Sequence, residues 1–78
     1  MRQVIVSALE RYVKYHIVTG SFLRAVLEND FMEAILRADD ENLHDLLWVV
    51  HYVVDNVPVK AYGSKDAVKQ WLLNRDKV

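Results

Sequence analysis

The sequence predicts an all-α fold: a compact five-helix single domain over residues 1–78 with a long central fourth helix. Three observations carry this. Apolar residues recur at i, i+3, i+4 and i+7 in several windows, which lays them on one face of a helix. Helix-capping residues punctuate those windows. An apolar fraction of 53% in 78 residues, with two glycines, one proline and no cysteine, gives material for a core and excludes a disulfide scaffold, disorder and low-complexity character.

The first helix is predicted from Arg2 to Ile17, where positions 5, 8, 9, 12, 13 and 16 or 17 form one broad apolar face. Thr19-Gly20 ends it, with Gly20 suited to the left-handed conformation after a helix. Ser21 caps a short second helix containing Phe22, Leu23, Val26 and Leu27. Asn29-Asp30 interrupts that helix, and Asp30 with Glu33 reads as a capping box for a third, Phe31 to Ala38. Asp39-Asp40-Glu41 then supplies a cap and negative charge at the positive end of the fourth. In the fourth, Leu43, Leu46, Leu47, Val50, Val53, Val54 and Val57 are predicted to face inward. Its valines suit a strand too, but strict alternation is absent and the segment is too long for a typical strand. Pro58 ends it, and Ala61-Tyr62-Gly63 makes a turn. Ser64 caps a last helix with Asp66 in its first turn and Val68, Trp71 and Leu72 turned inward.

The net charge of −1 conceals a division. Residues 1–24 carry four bases and one acid, residues 25–59 carry eight acids and Arg37 alone, and residues 60–78 carry five bases and two acids. Either basic terminal helices dock beside an acidic middle and neutralise it, or the middle is a surface that attracts a basic host protein or imitates nucleic acid. The longest apolar run, Leu46 to Val50, is far short of the ~20 residues a spanning helix needs. Arg2, Glu10, Arg11 and Lys14 interrupt any signal-peptide core. The expectation is a cytoplasmic protein with no membrane contact.

Little in the chain suggests chemistry. His44 and His51 share a helix face but stand about 10.5 Å apart along the axis at ~1.5 Å per residue, so one metal ion cannot take both. His51 and Asp55 make at most a pair of ligands. Asp39, Asp40, Glu41 and Asp45 lack the alternation and the glycine of a calcium loop. Ser7, Ser21 and Ser64 lie in no nucleophile elbow, and no glycine-rich phosphate loop is present. The expectation is therefore no catalytic residue, no metal, no cofactor and no enzyme. Read as a helix-turn-helix, the segment from Phe31 to Ala38 would be a recognition helix flanked by Asp30, Asp39 and Asp40, which repels DNA.

The outer side of the fourth helix carries His44, Trp48, Val49, His51, Tyr52 and Asp55. Two readings stay open: the fold covers this side, or aromatics among polar neighbours anchor a protein contact. A separate alternative is an oligomer that sequesters an anionic nucleotide between subunits, with Arg2, Arg11, Lys65 and Lys69 lining the sites.

The run Thr19-Gly20-Ser21-Phe22-Leu23-Arg24-Ala25-Val26-Leu27-Glu28-Asn29-Asp30 is followed by Glu33-Ala34, Arg37-Ala38-Asp39 and Glu41-Asn42. Asn56, Pro58, Gly63-Ser64, Val68 and Trp71-Leu72 come after them. This pattern, over residues 12–73, resembles a group of small proteins encoded by tailed bacteriophages and prophages. The chain departs from it near Val53-Val54-Asp55 and Ala61-Tyr62. The group supplies no activity to carry over. The resemblance implies a phage accessory protein in the cytoplasm of an infected bacterium, a homo-oligomer that binds and inhibits or redirects a host defence or transcription protein.

Overall fold

The first apolar face folds as its spacing dictates. In the computed structural model, which describes residues 2–74, helix α1 runs Arg2–Tyr15 and buries Ile5, Leu9 and Tyr12 along one stripe. It stops before the expected Thr19-Gly20. His16 takes the left-handed conformation at φ 57, and its N–H donates to the Tyr12 carbonyl at 3.0 Å, which closes the last turn. A non-glycine residue there costs about 1–2 kcal/mol. Contacts of the imidazole with Trp71, described below, offset that. Gly20 has an ordinary φ of −65 as the extended residue before the next helix, and Ser21 is that helix's first residue rather than its cap.

Helices α2 (Ser21–Leu27) and α3 (Phe31–Arg37) form a tight hairpin. Its turn rests on Asn29 at φ 60, with Asn29 N–H donating to Val26 O at 3.0 Å and Asp30 N–H to Ala25 O at 2.9 Å. These are the paired bonds that satisfy the last carbonyls of a helix, and asparagine tolerates the left-handed position. Half of the expected capping box forms: an Asp30 carboxylate oxygen accepts from Glu33 N–H at 3.3 Å. The other half does not, because the Asp30 N–H is already spent on Ala25. Glu33 instead pairs with Arg37 one turn on, at 3.0 Å.

The expected long fourth helix is two helices, so the described residues hold six rather than five. Helix α4 (Asp40–His44) is capped by Asp39, whose carboxylate accepts from Asn42 N–H at 2.8 Å. Asp45 then leaves helical geometry (φ −95, ψ 9) before α5 (Leu46–Asn56). Its side chain meets Arg2 of α1 at 3.1 Å, while its own N–H and C=O still continue the ladder to Glu41 and Val49.

Helix α5 is also turned relative to expectation. It buries Leu46, Val49 and Val53, and Val57 follows in extended geometry before Pro58. Leu43, Leu47, Val50 and Val54, expected inside, are exposed. At ~100° per residue the buried arc lies about 60° away from the centre of the predicted stripe.

After Pro58, a 3₁₀ turn at Val59–Ala61 puts Ala61 in the core. Gly63 takes φ 113, which only glycine adopts without strain, and its N–H donates to Leu27 O at 2.7 Å. The Ser64 hydroxyl accepts from Ala67 N–H at 3.0 Å, capping α6 (Lys65–Leu73) as expected. Val68 is buried, and Trp71 and Leu72 are half-buried. The radius of gyration is 11.6 Å, close to the ~11.5 Å of a compact chain of this length. No helix among the described residues is long and apolar enough to cross a membrane. The expected domain 1–78 extends at Met1 and at residues 75–78, including Asp76, beyond the described residues.

Candidate functional site

The expected outer face of the fourth helix does not hold together as a surface. Val49 is fully buried, because the rotation of α5 carries it into the core. Trp48 and Tyr52 stack on each other at 5.3 Å and are half-buried. The Arg2 guanidinium lies 4.8 Å above the Trp48 ring, so α1 caps this pair with a cation–π contact. Tyr52 lines a shallow depression with Leu9 and Val13 of α1. Trp48 and Tyr52 thus belong to the α1–α5 seam. His44, His51 and Asp55 are exposed. Among the described residues no three histidine or carboxylate side chains converge on one point.

The most apolar cleft lies on the other side of α5. Leu46, Leu47, Val50, Val53 and Val54 form one wall of a groove. Phe31 and Ala34 of α3 form the other, and Val26 and Tyr62-Gly63 complete it. Its volume is about 380 Å³, in the range of binding clefts. Asn29 and Asp30 line it where their backbone N–H groups close the α2–α3 turn and the Asp30 carboxylate caps α3. Phe31 and Leu47, which line the groove, are 60% and 76% exposed, and Met32 and Leu36, on the side of α3 opposite the buried Ala34, are 75% and 76% exposed. Exposed apolar side chains at a cleft mark contact sites.

The sequence contained a signal for this groove. Helix α3 has only seven residues, yet it carries two apolar i, i+4 pairs, Phe31/Ile35 and Met32/Leu36, beside the buried Ala34. One short helix packed on one neighbour cannot bury three such lines.

A second cluster joins α1 to α6 and is closed. The Tyr12 ring is buried and its hydroxyl donates to Ala61 O at 2.7 Å. Burial pushes the phenol well above its ordinary value; nearby Arg24 pulls it back and Glu28 adds slightly to the rise. Trp71 Nε1–H donates to Tyr12 O at 2.8 Å. His16 stacks on the Trp71 ring at 4.3 Å, and its Nδ1 lies 2.6 Å from Trp71 O. A carbonyl oxygen only accepts, so Nδ1 carries the proton. His16 therefore packs against the core.

The four cations expected to hold an anion are placed differently from one another. Arg2 pairs with Asp45 at 3.1 Å and borders an open concavity with Asp40, Glu41 and His44. Its charge is therefore spent among carboxylates. Arg11 on α1, and Lys65 and Lys69 on α6, are exposed. No family model, no curated protein and no solved structure matches this chain.

Proposed function

We propose that this chain is a non-enzymatic binding protein whose contact surface is the groove between α3 and α5, not the Trp48–Tyr52 face. The observation that carries the reading is the groove itself, an apolar cleft of about 380 Å³ flanked by bulky side chains that the fold leaves in solvent. Burying one such side chain is worth about 1.5–3 kcal/mol. Phe31, Leu47 and Val54 together thus supply part of the driving force for association. The groove's lining is almost wholly apolar and the Asp30 carboxylate is engaged in capping α3, which favours binding over catalysis. Taken with the resemblance to phage accessory proteins, the partner is a bacterial host protein that the chain inhibits or redirects by occupying one of its surfaces.

Affinity capture from a bacterial lysate with the native chain and the Leu47→Glu and Trp48→Ala variants as baits tests this. The native chain should retain a partner that the Leu47→Glu chain does not. A partner retained equally by these two chains, or lost only with Trp48→Ala, would place the contact elsewhere.

A further inference from the structure

Where α4 and α5 stand as two helices, the residue pattern is that of one. Leu43, Leu47, Val50 and Val54 follow the i, i+4, i+7, i+11 spacing that lays side chains along one line of a single helix. The hydrogen-bond ladder passes through the break: Asp45 N–H donates to Glu41 O at 3.0 Å and Val49 N–H to Asp45 O at 2.9 Å. Asp45 is the residue that departs, its ψ of 9 standing about 50° from the ~−42° of an α-helix. No proline or glycine, the usual sources of a kink, lies between Asp40 and Asn56.

Two observations place the cause in Arg2. Helix α4 buries no residue, so core packing does not fix where it lies, whereas Leu46, Val49 and Val53 fix α5. One guanidinium touches both the joint and the turn after it. Arg2 meets the Asp45 carboxylate at 3.1 Å and lies 4.8 Å above the Trp48 ring. It is also the one arginine or lysine lining the concavity where Asp40, Glu41 and Asp45 gather. An exposed ion pair contributes little to stability. Little is enough here, because bent and straight joints both keep the ladder and differ in the torsions of one residue.

We infer that Arg2 is a clasp that holds the joint at Asp45 bent, and that releasing it joins α4 and α5 into one helix from Asp40 to Asn56. Leu43 then comes into line with Leu47, Val50 and Val54, and the α5 wall of the groove grows by about one turn. Ionic strength thereby regulates how much apolar surface stands beside the α3–α5 groove. The joint does not depend on the binding reading above and is tested without a partner.

Residual dipolar couplings of the whole chain measure the angle between α4 and α5, and the Cα chemical shift reports the backbone of Asp45. The native chain at low salt should give two helix axes and a non-helical shift at Asp45. Arg2→Ala should give one axis and helical shifts throughout Asp40–Asn56. The native chain in about 1 M salt, where screening sets in within ~3 Å, should do the same. Arg11→Ala removes an equal charge from α1 without touching the joint and should keep two axes. Unchanged shifts at Tyr12 and Trp71 show that each variant is folded. A bend retained in folded Arg2→Ala or in salt would overturn the inference. So would straightening by Arg11→Ala, which would assign the bend to net charge. Loss of helical shifts over Asp40–His44 in Arg2→Ala would also overturn it, since Arg2 would then support α4 itself.

Discussion

At the seam between α1 and α6, Tyr12, His16 and Trp71 each set a polar atom against a backbone oxygen of a distant segment, and their rings pack together. In the groove between α3 and α5, Phe31, Leu47 and Val54 have comparable apolar bulk and remain open to solvent. The difference shows how a small chain with an apolar fraction of 53% divides its apolar residues. At the seam, a carbonyl of another segment satisfies each of these polar atoms and locks the packing. At the groove, no other segment is placed over Phe31, Leu47 and Val54. A domain this small buries only about 60% of its surface, and the excess is available to a partner.

Removing Trp71 is the most severe way to break the contrast. Trp71→Ala takes away the stacking on His16, the bond to Tyr12 O and the packing against α1. It should cost about 3 kcal/mol, or a fall in melting temperature of roughly 12 °C or more for a chain of this size. Thermal unfolding followed by circular dichroism checks this; a fall of only a few degrees would mean that the seam does not hold the ends of the chain together.

Tyr12→Phe sharpens the same region. It strands the buried Ala61 carbonyl and should cost about 1–2 kcal/mol. The native chain should also lose stability as pH rises past ~10, where the unfolded phenol ionises. The sign follows from the raised value in the folded state: the folded chain keeps its phenol proton while the unfolded chain releases it. The stabilisation is therefore complete below pH ~10 and fades above it. Melts at pH 8 and pH 11 should show a smaller drop for the Phe variant than for the native chain.

Trp48→Ala probes the face that lies between these extremes. Losing the Tyr52 stack and the Arg2 contact should cost about 1–2 kcal/mol, and binding at the groove should persist per folded molecule. Melting combined with capture of the partner distinguishes this from an interface role.

How much of this was legible in the sequence depends on whether local chemistry decides the feature. The caps at Asp39 and Ser64 and the stop at Pro58 were readable, because each is settled by a side chain and a backbone group within three residues. The inward face of α1 was readable for a similar reason: Glu10, Arg11 and Lys14 occupy the rest of the helix and leave its apolar face one orientation. In α5 two stripes interleave, Leu46-Val49-Val53 and Leu47-Val50-Val54. Periodicity reports their combined arc but not which edge meets the core, and α1 and α2 decide that from far away in sequence. The left-handed residue after α1 was assigned to Gly20 by propensity. It falls on His16 because the bond to Trp71, 55 residues on, fixes that imidazole. The break at Asp45 coincides with a contact to Arg2, 43 residues away, which no local pattern contains. For the binding site, the surplus of apolar residues was visible, but its location followed from the orientation of α5, so His44, Trp48, Val49, His51, Tyr52 and Asp55 were favoured instead.

The smallest effect on stability and the largest on binding are expected from Leu47→Glu. It should change stability by no more than about 0.5 kcal/mol, as exposed substitutions do, while removing association. The most direct test of the contrast between closed seam and open groove is hydroxyl-radical footprinting of the native chain, free and bound to its captured partner. Phe31, Leu47 and Val54 should react readily when free and be protected in the complex, with Tyr12 and Trp71 unchanged between the two. Protection at Trp48 and Tyr52 with Phe31 and Leu47 still reactive would contradict the account.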